Sequence, residues 1–221
     1  MKTQNVVLIL ITFCFCINAS AQFSFGLKGS YHNAWQEYGD DFAGNGGSDL
    51  KIKGFSTSLM AYFALGKNVE IGVEPGYIRR GAACEPGFFI NNPYLNGDAT
   101  LFANYLTAPV YLKGKLPLLK NRIELLGKCG GGPSYLIDGY REVNLSWGPA
   151  VTQVIDIDFR EETDLRRWDA GLNAGIGVGI HLGPGTLLME YEYYHSLKDM
   201  NELLTSRNRN RGFALGYLVR I

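Results

Sequence analysis

Arginine recurs beside an aromatic residue at the same two-residue spacing three times: Tyr77 precedes Arg79, Arg166 precedes Trp168 and Arg211 precedes Phe213, with Arg209 and Arg207 beyond. In an extended chain two residues apart means one face, so each ring and its guanidinium stand one above the other. A guanidinium is a planar fork of donors that binds phosphate oxygens in pairs, and an interfacial ring anchors where apolar surroundings give way to polar ones. One chemistry this spacing suits is phosphate contact at such a boundary. The other is an arginine whose stem lies on apolar surface while its head reaches water or pairs with acidic side chains.

Catalytic arrangements are sparser. Ser30 and His32 share a face, which is what a hydroxyl and a general base require, whereas His195 and Ser196 are neighbours and point to opposite faces of a strand. His181 falls beside a short turn. No His or Cys spacing suits a metal, so neither a metal nor a cofactor is expected. Asp156, Asp158, Glu161, Glu162 and Asp164 are dense enough to attract calcium, but they lack the glycine-turned spacing of a dedicated loop and read as a solvated acidic face.

These residues sit on segments of period two. From Trp168 to Leu182, Trp168, Ala170, Leu172, Ala174, Ile176, Val178, Ile180 and Leu182 share one face, while glycine recurs on the other at 171, 175, 177 and 179. Glycine makes a poor solvated face but leaves room in a narrow lumen, so the small face is expected to point inward. Comparable segments cover 23–35, 54–65, 69–80, 103–115, 122–135, 186–195 and 210–221, which with 167–182 makes eight strands of about ten residues or more. Their connections alternate short (66–68, 115–121, 183–185) and long (36–53, 81–102, 136–166, 196–209). Within the third long connection, Val143, Leu145 and Trp147, then Ile155, Ile157 and Phe159, alternate around Gly148-Pro149 and predict a hairpin standing above the barrel. Its edge could accept a partner strand or be guarded by charge.

Alternation alone does not say which phase is inside, and a lipocalin-like barrel would reverse it; charge helps to decide. The less apolar phase gathers Lys28, Glu70, Glu74, Arg80, Lys113, Glu124, Lys128, Asp169, Glu190, Glu192 and Arg220. Such a mixed set is ruinous in an oily ligand cavity but can pair across a polar lumen. Eight strands enclose only enough space for side chains, so a self-paired interior makes a plug.

Composition sets the remaining bounds. Lys2, the apolar run 6–17 and Ala19-Ser20-Ala21 predict a secretory leader over 1–21, leaving 22–221 as one domain. Cys14 and Cys16 each follow Phe, which does not suit lipid attachment; Cys84 and Cys129 are expected to stay separate thiols. No later apolar run is long enough for a membrane helix, and 28 glycines with 13% aromatic residues suit a barrel. The 21 basic and 21 acidic residues balance, which offers nothing to nucleic acid.

Phe25-Gly26-Leu27-Lys28-Gly29, Gly72-Val73-Glu74-Pro75-Gly76-Tyr77, Tyr105-Leu106-Thr107-Ala108-Pro109-Val110, Gly131-Gly132-Pro133-Ser134-Tyr135-Leu136 and Leu215-Gly216-Tyr217 occur in an order and spacing that resemble the outer-membrane β-barrel (porin-family) domain of Gram-negative bacteria. The architecture is similar to small OmpA/OmpX-type barrels. The resemblance implies an all-β, eight-stranded antiparallel up-and-down barrel in the outer membrane, folded with help from the assembly machinery. It departs at the end, where such barrels carry an aromatic residue and this chain has Ile221. Fold does not fix activity. The leading expectation is a non-enzymatic structural or surface-interaction protein whose outer loops meet an extracellular partner. A narrow porin is the second class and a lipid-modifying enzyme the third. Lipopolysaccharide is the expected phosphate source for Arg79, Arg166, Arg209 and Arg211, above Tyr77, Trp168 and Phe213.

Overall fold

The computed structural model describes residues 23–38, 50–84, 97–145, 151–156, 166–200 and 206–221. Residues 1–21, expected as a leader, and the acidic residues Asp158, Glu161, Glu162 and Asp164 lie outside them. The strands are β1 (Phe23–Tyr38), β2 (Ile52–Ala64), β3 (Val69–Val73), β4 (Gly76–Cys84), β5 (Gly97–Thr107), β6 (Val110–Leu118), β7 (Ile123–Leu145), β8 (Val151–Asp156), β9 (Trp168–Leu182), β10 (Gly185–Ser196) and β11 (Ser206–Arg220). Every pairing is antiparallel, and β1 pairs with both β2 and β11, so the sheet closes on itself. A closed ring leaves no unpaired edge in a bilayer.

The ring has eight staves, as the periodicity predicts, but two of them are broken. β3 and β4 form one stave interrupted at Glu74-Pro75, and β5 and β6 another interrupted at Ala108-Pro109. Proline has no N–H for the ladder, so the interruption is local. The proline carbonyls still accept: Leu59 N–H bonds to Pro75 O at 2.9 Å, Glu74 N–H to Pro109 O at 3.0 Å, and Ala108 N–H to Pro133 O at 3.2 Å.

Several strands outrun their sequence limits. β7 has 23 residues and does not stop at Gly130-Gly131-Gly132, because those glycines remain paired with Asn173, Leu172 and Gly171 of β9. A Cβ at Gly130 would run into Val110 and Tyr111 of β6, so glycine permits the close approach of strands there. Above the ring β7 turns back into β8, with Tyr140 opposite Asp156 and Leu145 opposite Val151, giving the predicted hairpin as far as Asp156. Cys84, expected in a loop, is the last residue of β4; Cys129 is a free thiol on the outer face.

The two faces invert the soluble pattern: Ile176 is 70% exposed and Lys113 only 1%. An outer apolar band of this extent excludes water as its solvent. Aromatic pairs bound it. At the end that carries the long connections, here the upper end, Phe55, Tyr31, Phe213 and Tyr191 occupy one cross-strand row. The Tyr191 and Phe213 rings lie 5.1 Å apart, Phe55 and Tyr77 5.6 Å, and Tyr135 and Trp168 4.9 Å. At the lower end Phe23 packs on Phe25 at 4.5 Å and near Phe63 at 6.5 Å.

The lower end also holds the short turns at Gly66, Leu119–Asn121 and Gly183, where Gly183 takes φ +57°. Protease added to intact cells is therefore expected to cut between β1 and β2 or between β8 and β9 and to spare 66–68. Cutting at the short turns, read by mass spectrometry of the fragments, would invert the topology.

Candidate functional site

The interior is stacked in layers by the inward residues of successive strands. Near the lower end Glu70 of β3 forms ion pairs with Lys113, at 3.0 Å, and with Lys115, both on β6. Above it lies an apolar layer of Met60, Tyr62, Tyr111, Leu126, Leu188 and Leu218.

The central layer is ionic. Lys28 of β1 binds Glu74 and, at 2.5 Å, Glu192. Lys128 of β7 lies 3.1 Å from Glu74, 2.7 Å from Glu190 and 2.6 Å from Glu192, and the Tyr62 hydroxyl donates to Glu74. Two ammonium groups thus hold three carboxylates, and Lys128 also stands 4.7 Å over the Tyr111 ring. Burying ions costs several kcal/mol each and is offset only by this kind of multiple pairing. The glycines of β9 make the room: a Cβ on Gly175 would stand 3.1 Å from Lys128 Cε, and one on Gly177 would stand 2.9 Å from Glu190 Cγ.

Higher up, Arg80 reaches Asp169 at 3.2 Å, with its guanidinium 3.7 Å from the Tyr194 ring and 5.0 Å from Tyr105. Asp169 also accepts from Tyr194 at 2.8 Å and Ser196 at 2.6 Å. Between this pair and the central layer is a small cavity of about 50 Å³, bordered by Ser30, Ser56, Asn173 and Asn210. A second apolar cluster lies toward the upper end: Leu101, Ala103, Tyr105, Leu136 and Met200. Met200 comes from the β10–β11 connection and is fixed by Met200 N–H to Ser206 O at 2.7 Å and Arg166 N–H to Met200 O at 2.9 Å. Nothing in the strand periodicity pointed to it.

On the inward phase, Lys28, Glu70, Glu74, Arg80 and Glu190 are buried and Glu192 is half-buried. Arg220 is the exception: it shares the phase but ends β11 at the lower rim and is exposed to solvent. Ser30 Oγ lies 3.3 Å from His32 Nδ1, yet His32 Nε2 is 2.9 Å from the Arg79 carbonyl, so no carboxylate backs the pair among the described residues. His195 is separated from Ser196, whose hydroxyl is bound to Asp169, and His181 meets Thr186 at 2.9 Å.

The outer arginines divide into different environments. Arg79 is half-buried among rings, 5.2 Å from Phe55, 5.7 Å from Phe102 and 5.6 Å from Tyr140, and its Nε donates to Asn104 at 3.1 Å. Tyr77 donates to the same Asn104 oxygen at 2.5 Å, so its hydroxyl serves this cluster. Arg166 and Trp168 are exposed. Phe213 is exposed below Arg211, whose guanidinium lies 5.7 Å from the Trp35 ring. Arg209 differs from the expectation: it is buried and held by Glu37, with Nε at 2.8 Å, because register places it opposite Trp35 beside that carboxylate. Pairing across β1 and β11 was invisible in a single strand's periodicity. Lys51 and Lys53 are also exposed at this level; Lys53 stands two residues before Phe55 just as Arg211 stands before Phe213, and the pattern missed it because it was read for arginine alone.

The sequence matches, over residues 17–202, the profile of a family described as the outer membrane protein β-barrel domain. No curated protein matches the chain by sequence. Among solved structures the fold is similar to Neisserial surface protein A, at 14% identity and TM-score 0.43, covering 89% of this chain and 97% of that one. It is also similar to OprG from Pseudomonas aeruginosa, at 8% identity and TM-score 0.43, covering 90% and 95%. A third is Ail of Yersinia pestis, solved with the heparin analogue sucrose octasulfate, at 14% identity and TM-score 0.39, covering 90% and 99%.

Proposed function

The chain belongs to the outer membrane protein β-barrel domain family, and from that premise we propose that it is a non-conducting surface barrel of the Gram-negative outer membrane. Its outer connections meet extracellular partners, and its upper rim rests on lipopolysaccharide phosphate. The observation that carries this reading is the contrast between the two sets of charges. Inside, Lys28, Lys128 and Arg80 are all engaged by carboxylates, between two apolar layers. Outside, basic residues stand above an aromatic row, where headgroup phosphates replace acyl chains.

The lipid part is tested on Arg79, Arg166 and Arg211 together. Lysine keeps the charge but not the planar fork, and alanine loses both. Native mass spectra of purified barrels are expected to show lipopolysaccharide retention falling from wild type to the triple Lys variant to the triple Ala variant. Equal retention in all three would contradict the phosphate contact.

A further inference from the structure

We propose that Lys51, Lys53 and Arg211, set around Asn33 and Trp35, form one discrete binding site for a phosphate group of an outer-leaflet glycolipid. This rests on the reading of the rim given above and narrows it to three adjacent strands. Register places Asn33 of β1 directly opposite both Lys53 of β2 and Arg211 of β11. Neighbouring strands are about 4.8 Å apart, so two long cationic side chains flank one short amide, and both can lean over it. One step higher, Trp35 has Lys51 Nζ 5.5 Å from its ring and Arg211 Cζ 5.7 Å from it, which draws the third cation to the same spot.

The other cations nearby are answered by the protein. Arg209 is bound by Glu37, Arg207 by Asp199 at 3.2 Å, and Arg79 donates to Asn104. Lys51, Lys53 and Arg211 have no carboxylate within ion-pair distance among the described residues. Like charges on adjacent strands repel, so three of them grouped with no anion among the described residues are a cost that a bound anion removes. Directly below, Phe55, Tyr31 and Phe213 form an exposed row at 44%, 58% and 73%. A ligand with a phosphate above and acyl chains below matches both halves, whereas a free phosphate ion matches only the upper one.

The test uses the full barrel folded in phospholipid vesicles with and without lipopolysaccharide, comparing wild type, K51A/K53A and R79A/R166A. K51A/K53A is expected to lower the lipopolysaccharide bound per barrel at least fivefold, and R79A/R166A no more than twofold. K51Q/K53Q, which keeps the stems, is expected to lose binding like K51A/K53A, with folding checked by circular dichroism. Glycolipid stripped of its phosphates is expected to bind wild type no better than K51A/K53A binds the intact lipid. Unchanged binding by K51A/K53A overturns the site, and if R79A/R166A falls instead, the wider rim reading stands without it. Loss in neither variant overturns both. Displacement of the glycolipid by millimolar inorganic phosphate assigns the patch to the free anion and overturns the lipid source.

Discussion

Replacing Lys128 with Met is expected to destabilise the barrel by about 3–5 kcal/mol, lowering the urea midpoint in lipid vesicles by roughly 2 M. Lys128 touches Glu74, Glu190 and Glu192 at 2.6 to 3.1 Å, and without it the buried Glu74 and Glu190 and the half-buried Glu192 share only Lys28. Methionine fills similar volume, so the loss comes from uncompensated charge more than from a cavity. A second substitution separates these causes. Lys128→Met with Glu190→Gln restores the original excess of one carboxylate and is expected to recover part of the loss. Tryptophan fluorescence, from Trp35 and Trp168 among others, follows the transition. A midpoint within a few tenths molar of wild type would show that the central pairs contribute little.

The charges of this layer were legible because strand alternation has a strict period of two, and Lys28, Glu74, Lys128, Glu190 and Glu192 kept one phase. Their partners were not. Which lysine meets which glutamate depends on register across β1, β3, β7 and β10, and register is a property of the closed ring. The same blindness hid the pairing of Arg209 with Glu37. Pro75 and Pro109 preserved the apolar phase, so the breaks they cause in the ladder left no mark on the pattern. The run Gly130-Gly131-Gly132 misled in the other direction: glycine weakens a strand in general, but here it lets β6, β7 and β9 approach closely. Met200 was missed because a loop residue entering the mouth obeys no periodicity.

The second large effect concerns passage through the lumen. On the non-conducting reading proposed above, an ion crossing the barrel would have to shed water in the Leu101, Tyr105, Leu136 and Met200 layer, part the Arg80–Asp169 pair, cross the central cluster, and then pass Met60, Tyr62, Leu126 and Leu188. Apolar constrictions oppose hydrated ions, and eight staves leave little room beside filled side chains. The cavity of about 50 Å³ between the ionic layers has space for only a few waters and is bounded by both obstacles. Removing one barrier leaves the others, so Met200→Gly alone is expected to stay closed.

Single-channel recording on the purified wild-type barrel in planar bilayers tests this account most directly. The expected record is no steady conductance above that of the bare membrane, in both wild type and Met200→Gly. Stable, reproducible unitary steps from the wild-type protein would contradict the closed lumen and make the chain a narrow pore.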